Sequence, residues 1–336
     1  MELVAVAAEP ARRDPRRNLT RTAPHGVPDG RALGSGHRRR DPDSPALTTA
    51  CDRWTPGRRD AGTYPEHVGR ARHRSGAQVN GIGEGPGQLV GTRREGHVLI
   101  ISLQRAAKRN AIDRAMADAL DAALNELEDD EDLWVGVLAG TTDVFSAGSD
   151  LTAGGDYLTE RGGEYGIIRR PRGTPLIAAV EGPALGGGLE IVLACDLVVA
   201  SSTARFGLPE VGIGVVPTCA GLFRTPRALP LNIARQLILT GRPIDARRAY
   251  EVGFVNVLSE PGDALAGALG LAREICANAP VSVRACLRAV NNVTAADDEF
   301  GWQETSGALA AASASADARE GVAAFLEKRP PVWTGR

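Results

Sequence analysis

The residues best suited to chemistry lie in one run, Gly182-Pro-Ala-Leu-Gly-Gly-Gly-Leu-Glu190, set between a strand-like segment and a helix-like one. Each glycine inside a helix costs about 0.5–1 kcal/mol relative to alanine. Three at a helix start, Gly186, Gly187 and Gly188, therefore imply that something approaches the backbone closely. The N–H groups of a first helical turn lack helical partners and sit at the positive end of the helix dipole, so they suit an anionic oxygen. This is half of an oxyanion hole. Glu190 follows Gly187 by three residues and shares its helix face, which places a carboxylate beside that oxygen. The same run also reads as a strand–helix turn whose glycines serve packing. A phosphate loop fits less well, because no Lys-Ser/Thr follows the glycines and position 185 is leucine, so G-x-G-x-x-G is absent.

Other nucleophilic and metal chemistry is short of residues. Four of the five histidines (His25, His37, His67 and His73) fall in the first 85 residues, leaving only His97, which opens an apolar segment and reads as an ordinary strand-edge histidine. A Ser-His-Asp or Cys-His nucleophile, or a multi-histidine metal site, would rest on His97 alone, and no metal is expected. Cys51, Cys195, Cys219, Cys276 and Cys286 are odd in number and include no C-x-x-C pair. Neither a disulfide framework nor a zinc ribbon is indicated, and a reducing cytoplasm is the expected compartment. Cys219 without a histidine partner makes a poor nucleophile.

The elements that must position this run follow from hydrophobic periodicity. Val98 to Leu103 is a short apolar stretch with β-branched residues and predicts a buried strand. Asp113 can cap a helix whose apolar positions Met116, Leu120, Leu124 and Leu127 recur every three or four residues. Strands are predicted at 134–139, 176–180, 197–200 and near 254–258, with a helix at 186–195. This alternation points to an α/β fold with parallel strands and helical crossovers. The glycine-rich stretch 152–175 predicts a mobile loop. Beyond residue 219 the periodicity predicts helices at 231–240, 244–252, 263–278, 281–292 and 317–328.

Charge and composition exclude further classes. Lys+Arg 39 against Asp+Glu 41 gives a net charge of -2 and no basic field for nucleic acid. The apolar runs are far below the ~20 residues needed to cross a bilayer, so a soluble protein with no membrane partner is expected. The averages hide a division near residue 85. Residues 1–85 hold ten Leu, Ile, Val or Phe, about 12%, below the ~20% that marks disorder, together with fifteen Arg, no Lys and ten acids. The chain is therefore read as a disordered Arg-rich head over 1–87, a catalytic core over 88–278 and a helical region over 279–336. Neither a secretory signal nor a transit peptide fits the head, and its composition suits translation from an upstream start in a coding sequence that properly begins near Val79.

Two further segments join the glycine run: Phe145-Ser-Ala-Gly-Ser-Asp-Leu151 and Phe206-Gly-Leu-Pro-Glu210. Together with Gln104-Arg-Ala-Ala-Lys-Arg-Asn-Ala-Ile-Asp113 and Glu320-Gly-Val-Ala-Ala-Phe-Leu-Glu-Lys-Arg329, they make residues 92–336 resemble the crotonase (enoyl-CoA hydratase/isomerase) superfamily. The resemblance implies a spiral of ββα units with a C-terminal helical oligomerisation region, assembled as a homotrimer or homohexamer. It implies an acyl-CoA thioester substrate and no separate cofactor, CoA being part of the substrate. The thioester oxygen would be held by the backbone N–H groups of Ser149 and Gly187, with Ala147, Asp150 and Leu151 around it. Glu190 and Glu210 match the two glutamates of the hydratases, which add water across a 2,3 double bond to form a 3-hydroxyacyl-CoA. A base at the water and an acid near C2 are what that reaction needs.

For CoA, the resemblance implies contacts at Lys108 and Arg109, and at Phe325 and Lys328 reaching a neighbouring subunit's substrate. Lys108 and Arg109 read equally well as solvated surface charge. One departure stands out: Pro217-Thr-Cys-Ala-Gly221 occurs where the family usually has a glycine-rich run. Side chains at Thr218 and Cys219 are expected to narrow the pocket or constrain the loop. A double-bond isomerase, a carnitinyl-CoA-type dehydratase and a slowly turning acyl-CoA-binding regulator remain as alternatives.

Overall fold

The computed structural model describes residues 88–155 and 157–336; the Arg-rich head lies outside the described residues. The chain enters through β1 (Val90–Glu95) and β2 (Val98–Leu103), paired antiparallel, and then α1 (Arg114–Asp129). Asp113 caps α1 by accepting the Met116 N–H at 2.9 Å. Next come β3 (Val135–Ala139), the short hairpin β4 (Leu158–Thr159) and β5 (Gly163–Glu164), β6 (Leu176–Val180) and β7 (Pro183–Leu185). These lead to α2 (Gly187–Leu193), β8 (Leu197–Ser201), β9 (Arg205–Gly207) and a 3-10 turn at Pro209–Ile213. The remainder is α3 (Gly221–Ala228), α4 (Leu231–Thr240), β10 (Ile244–Asp245), α5 (Ala246–Glu251), β11 (Val257–Ser259), α6 (Ala264–Cys276), α7 (Pro280–Thr294), α8 (Asp298–Ala314) and α9 (Ala316–Glu327).

The main sheet has the order β1-β2-β3-β6-β8-β11, and every pair after the first is parallel. All six residues of β2 are buried, because both faces of the sheet are covered. Leu99, Ile101 and Leu103 face the larger core with Met116, Leu120, Leu124 and Leu127 of α1, while Val98 and Ile100 face Ala268, Leu269 and Ala272 of α6. Each fully buried leucine or isoleucine contributes about 1.5–3 kcal/mol. Gly136 in β3 leaves room for Leu127 of α1, since a methyl group there would overlap that side chain.

A second sheet, β10-β9-β7, lies beside the first and carries the site. Strands β7 and β9 run parallel with Leu185 opposite Gly207, so the residues that leave both strands emerge side by side. The 145–149 segment joins them through a parallel bridge between Ser146 and Ala184 and the bond from Leu185 N–H to the Ser146 carbonyl, 3.0 Å.

One sequence expectation is corrected. The stretch 152–175 is not a mobile loop throughout. It contains the β4–β5 hairpin and the buried Tyr165, Ile167, Ile168 and Arg170, tied to α1 by Arg170–Asp121 at 2.5 Å and Thr159–Asp121 at 2.8 Å. Helices α3 and α8 were not predicted. His97 opens no catalytic array; it stacks on Trp134 with ring centroids 3.6 Å apart and donates from Nδ1 to the Asp132 carbonyl. No described helix is long and apolar enough to cross a membrane.

Candidate active site

Each glycine of the triplet has its own reason to lack a side chain. Gly186 has φ 56°, a left-handed conformation, and a Cβ there would stand 3.1 Å from Glu210 Oε1. A methyl on Gly187 would overlap the Tyr165 hydroxyl, and one on Gly188 the Ser146 carbonyl. The first turn of α2 is thus pressed between the 145–149 segment, the 3-10 turn and a buried phenol. Gly148 has φ 88°, and a Cβ on it would lie 2.7 Å from the Gly187 nitrogen. The Ser149 and Gly187 amides therefore converge, and among the described residues neither N–H donates a hydrogen bond within the chain. Two convergent amides at a helix start can hold an oxygen that gains negative charge.

Glu190 is 2% exposed on α2. Its Oε1 accepts the N–H groups of Cys219 at 2.7 Å and Gly221 at 2.8 Å. The Pro217–Gly221 loop thus does more than narrow a pocket, because its backbone holds the carboxylate. A Cβ on Gly221 would fall 2.8 Å from that oxygen, so a side chain there would push the carboxylate from its place. Burial lifts the Glu190 carboxyl to about 7 despite the two amides, which favour its charged form. Glu210, in the 3-10 turn, is lifted to about 8 by burial and then by the charge of Glu190. Its Oε2 is buried without a hydrogen-bond partner. Two carboxyls with raised and unequal proton affinities can share one proton near neutrality, one serving as base and the other as acid.

The structure also places the other residues singled out from the sequence. Ala147 is half-buried, its N–H donating to the Arg109 carbonyl at 3.0 Å. Asp150 Oδ1 accepts from Thr152 and its Oδ2 from Arg105 at 2.9 Å, so its side chain shapes the loop. Arg105 also reaches Asp113 at 2.7 Å, clamping the Ser149 loop to the cap of α1. Leu151 is 46% exposed, and Lys108 and Arg109 stand in an exposed turn. Thr218 is half-buried beside Cys219. Phe325 and Lys328 are exposed at the end of α9, the helix packed on the turn that carries Glu210, where Gly321 lies against the Ile213 carbonyl.

Two residues were missed from the sequence: Tyr157 and Tyr165, with rings 4.6 Å apart. Tyr165 Oη and Ser149 Oγ share a hydrogen bond of 2.7 Å. Burial pushes the Tyr157 phenol up to about 12. The glycines around them suggested a loop and concealed two inward-facing rings. A cleft of about 1190 Å³ between α7, α8 and the 167–173 segment is lined by none of Ser149, Gly187, Glu190 or Glu210. Among the described residues no group of three or more His, Cys, Asp or Glu could hold a metal ion.

Comparison with known proteins adds independent findings. The enoyl-CoA hydratase/isomerase family profile matches residues 93–336. A short-chain-enoyl-CoA hydratase of Clostridium acetobutylicum is 35% identical over 244 residues, covering 70% of this chain and 94% of that protein. An enoyl-CoA hydratase of Mycobacterium tuberculosis is 36% identical over 267 residues, with 76% and 99% covered. The crystal structure of a carnitinyl-CoA hydratase from Mycobacterium avium superimposes with a TM-score of 0.70 at 38% identity, covering 74% of this chain and 99% of that one.

Proposed function

The chain belongs to the enoyl-CoA hydratase/isomerase family, and on that premise we propose that it is an enoyl-CoA hydratase that adds water reversibly across the 2,3 double bond of a 2-enoyl-CoA to give a 3-hydroxyacyl-CoA. The observation that carries this reading is the pair of carboxyls, Glu190 buried and Glu210 half-buried with one oxygen fully enclosed, near the Ser149 and Gly187 amides. The Ser149 and Gly187 N–H groups hold the thioester oxygen and draw charge from C3. Water attacks C3, and Glu190, as carboxylate, accepts its proton. Negative charge collects on the thioester oxygen as an enolate. Glu210, protonated, then delivers its proton to C2, and reversal of these steps dehydrates the product. The two N–H donors on Glu190 favour its charged form, while Glu210 Oε2 has no hydrogen-bond partner, which supports this division of roles.

CoA is bound as part of the substrate, with Lys108 and Arg109 at its phosphates and Phe325 and Lys328 reaching the CoA of a neighbouring subunit. The trimeric or hexameric assembly this requires is favoured by α7, which buries no residue within the chain and exposes Val281, Val290 and Val293. A second reading, a polar acyl group of the kind named for the Mycobacterium avium protein, is favoured by one feature. Around Glu190 lie Tyr157, Tyr165, Thr218 and Cys219, polar groups linked through the Tyr165–Ser149 hydrogen bond and the Thr218–Cys219 contact.

The test is the absorbance of the conjugated thioester, followed with purified protein and 2-enoyl-CoAs that differ in length and polarity, with the product mass measured. Loss of the band with gain of one water supports hydration. A displaced double bond of unchanged mass would make the chain an isomerase, and binding without turnover an acyl-CoA-binding regulator.

A further inference from the structure

Tyr165 takes no part in the mechanism above, yet its setting is unusual. It is 1% exposed and has φ 55°, a left-handed conformation that is strained for a bulky residue. Such a conformation persists when the surroundings over-determine it. Here Gly166 lies against the Ala117 carbonyl and the Asp121 amide of α1, and Arg170 ties the segment to Asp121 and Asn125 at 2.5 and 2.7 Å. The ring is thereby driven inward. Its hydroxyl fills the space a side chain on Gly187 would take and lies 2.7 Å from Ser149 Oγ, so it packs against both residues whose amides would form the oxyanion site.

We propose that the Tyr165 hydroxyl is a third, side-chain hydrogen-bond donor to the thioester oxygen, beside the Ser149 and Gly187 N–H groups. Either oxygen of the Ser149–Tyr165 bond can be the donor. With the serine donating, the phenol proton can turn from the Cys219 thiol to the oxygen gathered by the two amides. The phenol keeps that proton throughout, since burial and the nearby charge of Glu190 hold its ionisation well above the ordinary tyrosine range. As a neutral donor in a dry site it strengthens as charge collects on the oxygen, so it acts on the transition state more than on substrate binding. This role rests on the hydratase reading given above.

The experiment uses the full chain with butyryl-CoA, a saturated thioester that cannot be hydrated. Difference infrared spectroscopy reads the carbonyl stretch of the bound thioester, and a 2-enoyl-CoA gives kcat and KM. In Tyr165→Phe the stretch should move back toward its value in water, and kcat should fall about 10²-fold with KM nearly unchanged. Replacement of Tyr165 by 3-fluorotyrosine, a near-isosteric and more acidic phenol, should move the stretch the other way, which keeps the idea testable if the phenylalanine variant does not fold. A stretch equal to that of the unsubstituted protein in either variant would overturn the proposal while leaving the hydratase reading intact. Failure of the unsubstituted protein to bind butyryl-CoA or to turn over any enoyl-CoA would overturn both.

Discussion

At the scale of single residues, the chemistry rests on two carboxyls that resist ionisation. With the pair spread between about 7 and about 8, the singly protonated form peaks between these values. The account predicts a narrow bell in kcat/KM against pH, falling on the acid side as Glu190 is neutralised and on the alkaline side as Glu210 loses its proton. A flat profile from pH 6 to 9 would contradict it. Stability follows the same groups. A carboxyl whose folded proton affinity is raised binds more protons folded than unfolded above about pH 4.5, so the fold loses stability as pH rises through the folded value. Glu210→Gln, which cannot ionise, should match the unsubstituted protein in thermal midpoint at pH 5 and exceed it by several degrees at pH 9. The two glutamates were legible in the sequence through the family resemblance that three separate segments carry together, since the glycine triplet alone also fits a packing turn. Tyr165 was not, because its hydroxyl reaches Gly187 only through a left-handed backbone that no spacing rule reveals.

At the scale of elements, the site is a matter of register. Strands β7 and β9, with Leu185 opposite Gly207, deliver Gly187 and Glu210 to the same edge, and the 217–221 loop folds back to hold Glu190. Gly221→Ala places a carbon within 2.8 Å of Glu190 Oε1 and must displace the carboxylate. The predicted consequence is a loss of about 10²-fold in kcat. Unchanged turnover would show that the loop does not set the position of the base. Helix α1 was readable because its apolar residues keep one face, the stripe that packs on β2. Helix α8 was not, since its alanines, serines and glycines spread around the axis, and its place comes from tertiary contacts such as Gly301 and Trp302 on Phe223. The 160–170 segment was misread for a related reason: its glycines allow close approach to α1, a use that composition cannot separate from looseness.

At the scale of the molecule, the family match begins at residue 93, and among the described residues the first strand begins at Val90. Residues 1–85 hold only ten Leu, Ile, Val or Phe, so activity is expected to rest on the chain that follows them. A chain begun at Val79 should equal the full chain in kcat and thermal midpoint, and both should scatter light as the same trimer or hexamer through the exposed apolar residues of α7 and Phe300. A shortened chain that fails to fold would make the head part of the enzyme, and a monomer would remove Phe325 and Lys328 from the neighbouring site.

The central claim, that Glu190 and Glu210 together move the protons of hydration, is tested most directly by single-turnover hydration of a short 2-enoyl-CoA by Glu190→Gln and Glu210→Gln, with affinity measured separately on butyryl-CoA. Each variant should bind the saturated thioester nearly as the unsubstituted protein does and hydrate at least ~10²-fold more slowly, because each keeps the amide pair and loses one proton transfer. Retention of most hydration activity by either variant would contradict the account.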